Sequence, residues 1–213
     1  SISTLAHEMG HAIHGEFSKT QPIVYQGHTI SVAEVASTLF ESFAFEEVLK
    51  TLTDEEKVIA LHDRIEDDVL TIFRQIACFN FETQLHEKIR EKGSMSKEEI
   101  ALLMNANMKS YLGPIFEMLP DDGYQFINWS HIRRFFYVYS YAYGQLISKA
   151  LYKKYQEDPA YLKKIEQFLK AGESMSPEDI WKSIGIDTTK PEFFIDGLKS
   201  SEDDIKRLEK LIK

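Results

Sequence analysis

Helical period is the property that leaves this chain least freedom. Leu5, Met9, Ala12 and Ile13 recur at helical spacing, and so do Val32, Val35, Leu39 and Phe43. Three Ser/Thr-x-x-Glu patterns, Ser31 with Glu34, Thr53 with Glu56 and Ser96 with Glu99, read as capping boxes that open helices. The first helix is expected to stop near Gly15. A loop with one short extended piece at Ile23, Val24 and Tyr25 should follow, then a helix over 31–50. Next come a long helix from Thr53 to Lys92, ended by Gly93, and another from Ser96 to Leu112. An aromatic-rich helix is expected over 130–156 and a shorter one over 159–171, with further starts at Pro177, Pro191 and Ser201. The sum is an all-α, multi-helical lobe of about nine helices with little or no sheet. It is read as one unit over 1–213.

Hydrophobic residues make up 43% and charged residues 28% of the 213 residues, ordinary for a chain that buries a core without staples. The net charge of -9 disfavours nucleic acid as a partner. No apolar stretch reaches the roughly 18 residues a membrane span needs. Cys78 is the single cysteine, so no internal disulfide forms; in the apolar run IACFNF it reads as a small buried hydrophobe. Acidity and the lone cysteine favour the cytoplasm.

The residues that carry chemistry are His7, Glu8 and His11, in His-Glu-Met-Gly-His. On a helix, positions four apart share a face, so both imidazoles can reach one tetrahedral zinc. Glu8, between them and rotated off the ligand line, can take a proton from a water at the metal. Gly10 costs a helix interior about 1 kcal/mol relative to Ala, so it points to a segment packed close against the site. Catalytic zinc takes three protein ligands and keeps one position open. Glu34 and Glu41 are the candidates for the third, and they lie two helical turns apart, so both cannot bind one metal. Glu34 is chosen, and Glu41 then either orients a ligand histidine or is a solvated charge. His14 lies too far from His7 to join the pair and is read as a wall of the site or as a support behind a ligand. Surface histidines on a polar helix are the bland alternative. A closed structural zinc would need a fourth protein ligand, and no candidate for it stands out.

TLAHEMGHAIH followed by SVAEVASTLFE resembles the catalytic core of oligoendopeptidase F, in the thimet-oligopeptidase superfamily of zinc peptidases. The match runs through His7, Glu8, Gly10, His11, Glu34, Ser37 and Glu41. A second block from His131 to Gly144 resembles the family's histidine-and-tyrosine stretch, and SMSPEDIWKSIGIDTTKPEFF resembles its C-terminal end. The resemblance implies one zinc per chain and a helical lobe lining a channel that admits short peptides. It also implies a C-terminal fragment, with the N-terminal part of the same protein and the sheet before the zinc helix missing. The implied reaction is hydrolysis of an internal peptide bond. Glu8 is the base, and His131 with Tyr137 and Tyr141 donates to the developing oxyanion. Tyr143 stands next in order. Rival readings are a zinc exopeptidase and a non-catalytic helical zinc module.

On the expected helix, Tyr137 and Tyr141 share a face, as do Tyr139 and Tyr143, and at least two of the four are expected in the core. Arg133 and Arg134 read either as binders of a substrate carboxylate or as surface charges. His28 sits in the loop beside the site, while His62 and His86 read as exposed. The charge pairs Asp67-Asp68, Glu98-Glu99 and Asp203-Asp204 read as solvated helix surface.

Overall fold

The computed structural model describes residues 2–134 and 136–213, and they form nine α-helices joined by short 3₁₀ and π segments, with no strand among the described residues. The chain divides into two compact units, Ser1–Asp68 with Tyr143–Lys213, and Val69–Ala142.

In the first unit, α1 (Ile2–Ser18) packs on α2 (Ile30–Leu49), and α3 (Asp54–Asp68) packs on α9 (Pro191–Leu211). Its core joins Val35, Ala36 and Leu39 of α2 to Ile147 and Leu151 of α6 (Tyr139–Glu157). Ile165 and Phe168 of α7 (Leu162–Leu169) and Trp181 of α8 (Pro177–Ser183) complete it. Trp181 Nε1 donates to Tyr143 Oη at 2.8 Å, which satisfies the one polar group of a fully buried indole. Tyr143 is half-buried and packs against this core.

Two ionic clusters in the first unit correct the surface reading for Asp68 and Asp204, whereas Asp67, Asp203, Glu98 and Glu99 are exposed as expected. Asp68 and Lys149 are both buried and paired at 2.7 Å. Asp68 also accepts from Gln145 Nε2 at 2.9 Å and Ser201 Oγ at 2.7 Å. Asp204 is buried as well. Arg64 Nε lies 3.1 Å from it, and Arg207 reaches both Asp204 and Glu46. Charge density along the sequence does not reveal that Lys149 and Ser201 reach Asp68, and Arg64 reaches Asp204, from other helices.

The second unit holds a π segment (Val69–Arg74), α4 (Gln75–Lys92), α5 (Lys97–Leu112) and the 3₁₀ turns Pro120–Ile127 and Ser130–Arg133. Its core is Ala77, Cys78, Phe81, Met104, Met108 and Val138. Ser96 caps α5 as expected: its Oγ accepts the Glu99 amide, and Glu99 accepts the Ser96 amide at 2.9 Å. Thr53 and Glu56 form the same reciprocal pair ahead of α3.

Several expected boundaries move. α1 continues past Gly15 to Ser18, and the extended piece is a 3₁₀ turn, Ile23–Tyr25. Ser31 is buried inside α2 and makes no cap. The N-cap is Thr29, whose hydroxyl makes no cap bond and meets Ser31 Oγ at 3.4 Å instead. The stretch from Thr53 to Lys92 is interrupted by the π segment, and Pro191–Leu211 is one helix rather than two. The aromatic helix begins at Tyr139, not at 130. Phe136 adopts φ 60, the left-handed region that breaks a helix and that no aromatic residue signals in a sequence.

Candidate active site

α1 buries an unexpected face. Gly10, His14 and Ser18 are buried, whereas Leu5 and Met9, apolar residues at helical spacing, are exposed. Gly10 explains the choice. A Cβ there would lie 2.7 Å from Ser37 Cα and 3.0 Å from Ala36 O, so α1 and α2 touch backbone to backbone. On α6, a Cβ at Gly144 would lie 2.8 Å from Glu34 Cβ. Two glycines thus bring α1 and α6 against the Glu34–Ser37 turn of α2. Gly10 is marked in the sequence by its cost in a helix interior, and Gly144 by standing alone inside an aromatic run, a usable signal of the same kind.

That contact converges three donors. His7, His11 and Glu34, each half-buried, offer ligand atoms within 4.8 Å of one another. The two imidazoles meet edge to face with centroids 4.9 Å apart, and His7 Nε2 lies 3.7 Å from Glu34 Oε2. Ser37 Oγ donates to Glu34 Oε2 at 3.3 Å and fixes that carboxylate. The other ring nitrogen of His7, Nδ1, makes a short hydrogen bond to Glu41 Oε1. Of the two readings of Glu41, the structure therefore places it on the histidine. Ser3 Oγ donates to its second oxygen at 3.3 Å. The bond to Glu41 pushes His7 above the usual imidazole pKa against the opposing effect of burial. Glu8 is on the exposed side of α1.

His14 and His28 do not reach these donors. They stack face to face with centroids 3.6 Å apart, and all four ring nitrogens are buried without partners. Burial, with charge repulsion from His28 and His11 adding to it, drives His14 down to about 3, and burial lowers His28 too. His28 is thus packed on α1 rather than free in its loop. His62 and His86 are exposed, as read from the sequence.

In the second unit, His131, Tyr137 and Tyr141 form one cluster. Tyr137 stacks on His131 at 5.6 Å, Tyr141 meets both rings edge-on, and Tyr141 Oη lies 3.3 Å from His131 Nε2. The expected grouping appears, but through the turn before α6 rather than along one helix face. Tyr139 packs its ring edge against Phe79. Arg133 donates to the carbonyls of Ile127 and Trp129 at 3.0 and 3.1 Å, which occupies its guanidinium with backbone, while Arg134 is exposed.

Residues 1–200 match the sequence pattern of peptidase family M3. The chain belongs to that family. It is 34% identical over 219 aligned positions to oligopeptidase PepF of Bacillus subtilis, covering 100% of this chain and 32% of that protein. Its identity to an oligoendopeptidase F homolog of Borreliella burgdorferi is 33%, covering 88% of this chain and 32% of the homolog. The crystal structure of oligoendopeptidase F from Enterococcus faecium superposes with a TM-score of 0.83 at 30% identity, over 99% of this chain and 39% of that one. The chain thus spans about a third of the length of its M3 relatives.

M3 is a family of metallopeptidases, and the donor set of this chain can be tested against zinc. Two imidazole nitrogens and one carboxylate, with a fourth position left open, is the ligand class of catalytic zinc. Bonds near 2.0–2.1 Å in a tetrahedron place donor atoms about 3.4 Å apart, close to the 3.7 Å between His7 Nε2 and Glu34 Oε2. A carboxylate on the far nitrogen of a ligand imidazole is the usual support for such a site. The residues fit the metal. No helix among the described residues is long and apolar enough to cross a membrane.

Proposed function

We propose that this chain carries the catalytic centre of a zinc endopeptidase acting on internal bonds of short peptides in the cytoplasm. The observation that supports it is the convergence of His7, His11 and Glu34 beside an exposed Glu8 on the same helix. His7 and His11 would hold one zinc through imidazole nitrogen, and Glu34 through its carboxylate. Bound zinc would supply Lewis acidity to a water and to the scissile carbonyl. Glu8 takes the proton of the attacking water and hands it to the leaving amine. Glu41, by accepting from His7 Nδ1, holds the tautomer that leaves the Nε2 lone pair free, and Nε2 would then be the ligand atom. His131, Tyr137 and Tyr141 are the donors we assign to the oxyanion, through the imidazole N–H and the phenol hydroxyls.

Zinc per chain, measured by mass spectrometry on wild type and Glu34→Ala, tests the ligand set. One zinc in the first and none in the second is expected, and equal zinc in both removes Glu34 from the site. Glu8→Gln should keep its zinc and lose about 100- to 10,000-fold in turnover. A peptide blocked at both ends separates endo- from exo-cleavage, since only an endopeptidase cuts it.

A further inference from the structure

Glu82 is the residue in the second unit with the least obvious reason to be where it is. It lies in α4 beside Phe81, in the core of that unit, and is 2% exposed. Burial raises its carboxyl above the usual range. No lysine or arginine pairs with it among the described residues. Its Oε2 is buried without a partner, and its Oε1 accepts one hydrogen bond, from the Phe136 amide at 2.9 Å. A buried carboxylate with a single backbone donor is costly, so its retention calls for an explanation.

Phe136 supplies that explanation. It is the one non-glycine residue with positive φ among the described residues, at 60°. Side chains with a Cβ avoid this region, and bulky ones most of all. Three α4 residues at helical spacing hold Phe136 there. Its ring packs against Phe79 at 6.0 Å and His86 at 5.0 Å, and its amide points to Glu82 between them. The next residue is Tyr137, whose ring stacks on His131. A left-handed residue reverses the local path of the chain, so what fixes Phe136 also fixes the direction in which Tyr137 leaves the turn.

We infer that Glu82 is a positioning residue: by accepting the Phe136 amide it holds the left-handed turn that sets Tyr137 and Tyr141 against His131. It touches no reacting atom. The catalytic half of this inference rests on the oxyanion role proposed for His131; the geometric half does not.

The test uses the intact zinc-loaded protein and three variants, Glu82→Gln, Glu82→Leu and Glu82→Leu with Phe136→Gly. Glutamine keeps an acceptor for the amide and should recover most of the rate. Leucine should lower kcat by about 10- to 100-fold through misplacement, with KM within about twofold because only the transition state is affected. Its zinc content should stay at the wild-type level, and the His131 ring protons should shift in the NMR spectrum. Glycine at 136 adopts positive φ without restraint and should restore part of both signals. A folded, zinc-loaded Glu82→Leu with unchanged kcat and unmoved His131 resonances overturns the inference. If Glu82→Leu does not fold, the wild-type Phe136 amide decides: slow exchange is expected, and exchange at the rate of a free loop overturns the inference. His131→Ala with undiminished kcat, alongside shifted His131 resonances in Glu82→Leu, would sink the oxyanion role while leaving the positioning role standing.

Discussion

Gly10 has no room for a methyl group. Its Cβ would sit 2.7 Å from Ser37 Cα, a backbone atom that cannot swing aside. Alanine would gain about 1 kcal/mol in helix propensity, but forcing two packed helices apart costs about 1–3 kcal/mol. Gly10→Ala should therefore lower stability in urea melts. It should also weaken zinc binding, because the same displacement carries His7 and His11 away from Glu34. At Glu41 the effect is local. Glu41→Ala should bind zinc about 10- to 100-fold more weakly in a chelator competition, with the fold intact, because only the restraint on the His7 ring is lost. The spacing of His7 and His11 was legible in the sequence, since a helix has one period. The bond from Glu41 to His7 was open, because two turns along α2 says nothing about which neighbour a long side chain meets.

At the scale of elements, periodicity found the helices and misjudged faces and joints. The apolar spacing of Leu5 and Met9 marks α1 as a helix but not its buried side, which is the small and polar one, Gly10, His14 and Ser18. Close approach to α2 decided that face, and hydrophobicity along the helix carries no trace of it. The Ser31–Glu34 pattern mimicked a capping box because the site needs the same glutamate. The end of α3 was read as surface and is instead pinned inside the first unit by Asp68, which accepts from Gln145 and Ser201 and is ion-paired with Lys149. Removing one member of a buried pair strands the other charge, at about 3–5 kcal/mol. Lys149→Met should lower the urea midpoint accordingly at unchanged m-value. Adding Asp68→Asn should recover part of the loss, since the stranded charge is then gone.

For the whole molecule, the proposed metal donors all belong to the first unit, and pH acts on the stability of that unit. One contribution is independent of metal. His14, ordinarily near 6.5, is held down to about 3 by burial and by the neighbouring imidazoles. Its folded pKa lies below its unfolded one, so the unfolded chain takes up a proton first as the solution is acidified. Stability is intact above about pH 6.5 and declines toward pH 3, at about 1.4 kcal/mol per pH unit for this one group. Acid unfolding of the zinc-free protein should show this limb, and His14→Phe should flatten it. Equal slopes in the two proteins would mean that other groups set the acid limit. A histidine on an amphipathic helix reads as a ligand or a surface group, and only the packing shows that its ring is enclosed.

Cys78 turns the second unit into its own stopwatch. The thiol is fully enclosed between Ala77, Phe81 and Met104 and is pushed up to about 12, so in the folded state almost no thiolate exists and no reagent can reach it. Alkylation can proceed only while that core is open. With reagent in excess, the rate at which the single sulfur is consumed reads out how often the core breathes, with no label, tag or engineered residue to disturb it.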